Sequence, residues 1–148
     1  MKSCLAHGIE VNNLKVGDKL DASPEYVENA FQVINEVAIK LTHVLWRKVL
    51  PKERKNADDE LISLSFELLQ EEEYELAINI LDLFVNTIKK FHDSTYKRIA
   101  VVNLAIAYKF SGDKDNCNKE LSKLDWTDAG YDFKISQAVL ISLHTSFY

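Results

Sequence analysis

The chain is poor in the residues that break or redirect a backbone. Its 148 residues include four glycines and two prolines. An all-β fold needs far more turns than these supply, so long helices are the expected elements. The two cysteines, Cys4 and Cys117, stand far apart. That spacing gives no metal-binding cysteine cluster and suits reduced thiols in a cytoplasmic protein. No apolar run approaches the roughly 18 residues of a membrane span. The opening "MKSCLAHGIEV" has no signal-peptide core, so the expected location is the cytoplasm. Basic charge is not in excess either. A net charge of −5 argues against broad nucleic-acid or anionic-membrane binding, leaving room for no more than a local basic patch.

Signatures of catalysis are equally scarce. No two of Gly8, Gly17, Gly112 and Gly130 fall within eight residues of each other, so there is no glycine-rich phosphate loop. His7, His43, His92 and His144 have no Cys, Asp or Glu partner at ligand spacing on a shared helix face. The four carboxylates of "QEEEYE" read as a solvated helix end, because consecutive helical residues point in different directions. No catalytic residue, cofactor or metal is therefore expected, and the protein is not expected to be an enzyme. The most basic stretch is "WRK" at 46–48 with "PKERK" following. It reads as helix-end cations and a solvated linker, or as a patch for an acidic partner or nucleic acid.

What the chain does contain is helical periodicity. Residues 1–22 read as an irregular arm or small hairpin, with turn signals at Asn12-Asn13 and Gly17-Asp18. Residues 23–148 read as a single all-α domain. Ser23 can cap a long helix and Pro24 suits its first position. Val27, Ala30, Ile34, Val37, Leu41 and Val44 recur three and four apart, with Phe31, Ala38 and Leu45 widening the face. This helix of about 27 residues would be roughly 40 Å long and is the expected backbone of the domain. Apolar lines Leu61, Leu64, Leu68 and Ala77, Ile80, Leu81, Phe84, Ile88 mark two further helices. Asp93-Ser94 can cap the next, "TYKRIAVVNLAIAYKF". Ser111-Gly112-Asp113 breaks it before "KDNCNKELSKL".

Helices of this length joined by short turns are expected to pack antiparallel, as hairpins. Gly112 then has a purpose, since a tight helix exit uses the left-handed conformation that glycine adopts freely. Asp113 can cap the following helix. Ala105 and Cys117 are small where two helices would approach closely. A terminal helix is expected over 131–148. Its Phe133, Ile135, Val139, Leu140, Ile141, Leu143 and Phe147 spread around most of the circumference. Such a helix needs cover on two sides, from its own chain and from either the long helix or a second subunit. A homodimer, with Leu140 and Leu143 as contacts, is the simplest form of the latter.

At Leu104-Ala105, Tyr108, Gly112-Asp113, Cys117 and Leu121 the chain resembles a tetratricopeptide repeat. A weaker copy resembles it upstream, at Leu64-Ser65, Leu68, Glu72-Glu73, Tyr74, Ala77, Leu81 and Phe84, with Glu72 in place of the turn glycine. The two copies stand 40 residues apart, against roughly 34 in that family. The resemblance implies stacked hairpins packed on the long N-terminal helix, with a concave surface for a protein or peptide partner. The residues it places on that surface are Ser63, Phe66, Asn103, Ile106 and Lys109. A terminal-carboxylate clamp of the family's kind is not expected, because Val102 and Ile106 stand where polar groups would be needed.

A second stretch, "VGDKLDASPEYVENAFQVINEVAIKL", is similar to the closing helix of prokaryotic HEPN-like domains. That resemblance implies the C-terminal portion of an RNA-acting toxin or phage-defence protein. No arginine here is followed by histidine at the spacing of HEPN nucleases, so the catalytic motif would be missing.

Overall fold

The structure, a computed structural model, describes residues 23–124. The arm expected over 1–22 and the terminal helix over 131–148, with Leu140 and Leu143, lie outside the described residues. Those described form five α-helices and no strand: α1 Pro24–Val49, α2 Arg54–Gln70, α3 Tyr74–Asp82, α4 Ser94–Phe110 and α5 Lys114–Leu121. A 3-10 turn, Pro51–Glu53, precedes α2, and a π-helical stretch, Leu83–Ile88, continues α3. The all-helical expectation holds. Among the described residues no helix is long and apolar enough to cross a membrane.

Local chemistry sets the boundaries. Ser23 Oγ accepts a hydrogen bond from the Tyr26 N–H at 3.2 Å and so caps α1. Asp93 accepts from the Thr95 and Tyr96 N–H groups at 2.8 and 3.3 Å, opening α4. Asp113 does the same for α5 through the Asn116 N–H at 3.0 Å. The exits of α2 and α4 share one hydrogen-bond ladder. The Asp113 N–H bonds the Tyr108 carbonyl at 2.8 Å and the Gly112 N–H bonds the Lys109 carbonyl at 3.1 Å. Forty positions earlier, the Glu73 N–H bonds the Leu68 carbonyl at 2.9 Å and the Glu72 N–H bonds the Leu69 carbonyl at 3.4 Å. Both are Schellman endings, in which a left-handed residue lets two orphan carbonyls find donors. Gly112 takes that conformation at φ 88°, as its position implies, and Glu72 takes it at φ 63°.

The packed core belongs to the second of two units, residues 40–148; the first, residues 1–39, contributes the N-terminal part of α1. In the second unit α4 is central and packs against α2, α3 and α5. Leu61 of α2, Leu81 of α3 and Leu104 of α4 are fully enclosed. The small residues Ala77, Ala105 and Cys117 are buried with them. Phe84 closes this core from the π-helical stretch.

The expected inward face of α1 is corrected by the structure. Val27, Phe31, Ile34, Val37, Leu41 and Leu45 are 46–67% exposed, whereas the buried residues of α1 are His43 and Arg47. A charge pair explains the phase over the last turns of the helix. Arg47 must face its buried counter-ion, Asp58, and that requirement turns Leu41 and Leu45 toward solvent.

Candidate functional site

His43 and Arg47 lie four residues apart and so project from one face of α1. Asp58, near the start of α2, meets them. Arg47 Nη2 lies 2.5 Å from Asp58 Oδ1, with the two side chains 4% and 0% exposed. The same nitrogen donates to the Ala57 carbonyl at 3.3 Å. Arg47 Nη1 donates to the His43 carbonyl at 3.4 Å and lies 3.3 Å from His43 Nδ1. The other carboxylate oxygen of Asp58 accepts from the His92 N–H at 2.5 Å. Beneath them the Phe84 ring carries the Arg47 guanidinium at 4.6 Å and meets the His43 ring edge-on at 5.8 Å. One carboxylate therefore ties together α1, α2 and the connection into α4. Burial pushes the pKa of His43 down, and the Arg47 charge pushes it further in the same direction. Burial also works against the charge on Arg47, which its hydrogen bond and charge contact with Asp58 sustain.

Outside this junction lies a cavity of about 520 Å³. Four cations line it: Arg47 and Lys48 from α1, Arg54 from the start of α2 and Lys90 from the segment after the π-helical stretch. Its apolar wall is Val44, Pro51 and Ile88. Among the described residues no carboxylate pairs with Lys48, Arg54 or Lys90. The Nε–H groups of Arg47 and Arg54 are buried without hydrogen-bond partners. The charge of Arg54 also acts to lower the pKa of Arg47, as expected for like charges held close together. The basic stretch seen in the sequence is thus folded around a space, and Lys90 joins it from 36 residues beyond Arg54. The sequence signal for Lys90 is only the "KK" that follows Ile88.

The five residues expected on a partner-binding surface occupy α2 and α4, which pack against each other. Ser63 and Phe66 are exposed, and Ile106 and Lys109 are half-buried. The Lys109 ammonium lies 6.0 Å from the Phe110 ring centre. Asn103 is enclosed at 1% exposure and donates to Ser65 Oγ at 2.7 Å. The Ser65 hydroxyl in turn donates to the Ile62 carbonyl at 2.7 Å, so Asn103 ties α4 to α2. A second cavity, of about 340 Å³, includes Lys40, Asp82, Thr87 and Tyr108 in its lining. Beside it Asn86 donates to Asp82 Oδ1 at 2.7 Å and to Glu120 Oε1 at 3.2 Å. Lys123 bonds the same Glu120 oxygen at 2.6 Å.

Among the described residues no group of three or more His, Cys, Asp and Glu side chains could hold a metal ion. Burial raises the pKa of the enclosed Cys117 thiol, which disfavours its thiolate form. No family model, curated protein or solved structure matches the chain.

Proposed function

We propose that the protein is a non-catalytic interaction module built from two tetratricopeptide-like helical hairpins, α2–α3 and α4–α5. The observation that supports this most directly is the duplicated helix exit. The same ladder closes α2 and α4 at a spacing of 40 residues, with a left-handed residue at the same step. The buried small residues Ala77 and Cys117 stand at the same interval. Stacked hairpins leave a concave surface formed by the first helix of each pair. Ser63 and Phe66 on α2, with Ile106 and Lys109 on α4, are the side chains offered to a partner; Asn103 fixes the spacing of the two helices behind them.

Site-specific photo-crosslinking tests this reading. A photoreactive residue at position 66 should capture one protein partner, and Ile106→Glu should abolish the capture. Labelling no greater than at a control position such as Asp115 would count against it. Cleavage of RNA by the purified protein would instead favour an RNA-acting protein of the HEPN kind.

A further inference from the structure

The cavity at the end of α1 is not needed for the interaction reading, and its chemistry points elsewhere. We propose that it binds a small phosphomonoester carried on an apolar body. Cations in the last turn of a helix are commonplace, since they offset the dipole of its C-terminus. That account covers Arg47 and Lys48. It does not explain why Arg54 and Lys90, from two other segments, face the same space. Among the described residues the carboxylate paired with any of these four cations is Asp58, and it is engaged by Arg47 and the His92 N–H. Lys48 and Lys90 are exposed and Arg54 is half-buried, so water screens part of their repulsion; the Arg54 charge still acts against that of the buried Arg47, and an entering anion relieves it. Two guanidinium Nε–H groups there have no acceptor, and Arg47 is itself 94% enclosed, being 6% exposed.

The charge selects the anion. A phosphomonoester carries roughly −1.5 to −2 at neutral pH and has three strong acceptor oxygens, against a single charge for a carboxylate. Guanidinium forks match phosphate geometry, and lysines add point charges. The size and wall select the rest of the ligand. The cavity of about 520 Å³ falls within the roughly 300–1,000 Å³ of small-molecule sites. Val44, Pro51 and Ile88 offer it an apolar body to lie against. Among the described residues no aromatic side chain lines the space, so they offer no platform of the kind on which single-stranded nucleic acid stacks its bases.

Isothermal titration calorimetry on the full chain tests the assignment, with phenyl phosphate, inorganic phosphate, benzoate and benzyl alcohol as probes. Phenyl phosphate should bind more tightly than inorganic phosphate and about tenfold more tightly than benzoate, with benzyl alcohol silent. The double variant Arg54→Gln/Lys90→Gln should weaken phenyl phosphate by about tenfold or more. It leaves the Arg47–Asp58 pair in place, and far-UV circular dichroism verifies that it stays folded. Absence of phenyl phosphate binding, equal binding of benzoate, or affinity unchanged in the double variant would each overturn the proposal. So would a phosphoserine peptide that binds where phenyl phosphate does not. Failure here leaves the crosslinking test at position 66 untouched, because the cavity shares no residue with the proposed groove.

Discussion

Asp58 and Asp59 are neighbours in sequence with opposite fates. Asp59 lies on the surface, paired with Lys55 at 2.9 Å and accepting from the Tyr96 hydroxyl at 2.6 Å. Exposed pairs of this kind contribute little. Asp58 is fully enclosed and holds Arg47. Breaking a buried pair from one side strands the other charge, which costs about 3–5 kcal/mol. Asp58→Ala should therefore lower stability by about that much in urea melts, and Asp59→Ala should leave the midpoint almost unchanged. Equal effects would show that the Arg47 charge reaches water in the folded state. The sequence held one clue to the difference. Asp58 falls three and four residues before the buried Leu61 and Ile62, in the middle of the buried stripe of α2, whereas Asp59 falls three before Ile62 and four before the exposed Ser63, at the edge of that stripe. Without knowing that Arg47 would face it, the stripe was legible and the pair was not. His43 adds a pH dependence. Its folded pKa is depressed below 6.5, by burial first and then by the Arg47 charge. Between the folded and unfolded values the unfolded chain binds the extra proton, so stability falls as pH falls through about 6.5. The loss levels off once the folded value is passed. Melts between pH 7.5 and 5.5 should show this decline, and His43→Gln should flatten it; an identical slope in the variant would remove His43 as the cause.

At the scale of elements, the helices were readable because their ends carry chemistry. Ser23, Asp93 and Asp113 each cap the helix that the sequence suggested, and Gly112 sits in the left-handed turn. The π-helical stretch was not readable, since Leu83–Ile88 has the same apolar spacing that an ordinary helix would show. The paired exits of α2 and α4 allow a reciprocal test. A Cβ added at Gly112 meets nothing within 4 Å, so the cost of a substitution there is the conformation alone. Gly112→Val should destabilise by about 1–2 kcal/mol. Glu72 already bears that cost at φ 63°, and Glu72→Gly should return up to about 1 kcal/mol. Opposite shifts in denaturant midpoint are the expected result. Two shifts of the same sign would mean that side-chain contacts, rather than backbone conformation, set the energy of these turns.

At the scale of the whole molecule, burial is very unevenly distributed. In α4, Ala100, Val101, Val102, Asn103, Leu104, Ala105 and Ala107 are all buried. In α1 only His43 and Arg47 are. An apolar stripe reads as an inward face only if a neighbour covers it. That condition holds for α4, and it fails for Val27, Phe31, Ile34 and Val37, which are more than half exposed. This is why periodicity alone found α1 and misjudged its phase. Local opening is cheap where few apolar contacts are lost and approaches the cost of global unfolding where many are. Backbone amides at 100–107 should therefore exchange with deuterium at least about a hundredfold more slowly than those at 27–39, a gap of roughly 3 kcal/mol. Leu104→Ala, which opens the core at a cost of about 2–5 kcal/mol, should speed exchange across α4. Residues 27–39, none of which is buried, should change little. If exchange at 27–39 rose in parallel with α4, the two segments would form one cooperative unit, and the exposed stripe of α1 would have to be stabilised by contacts beyond those of the described residues.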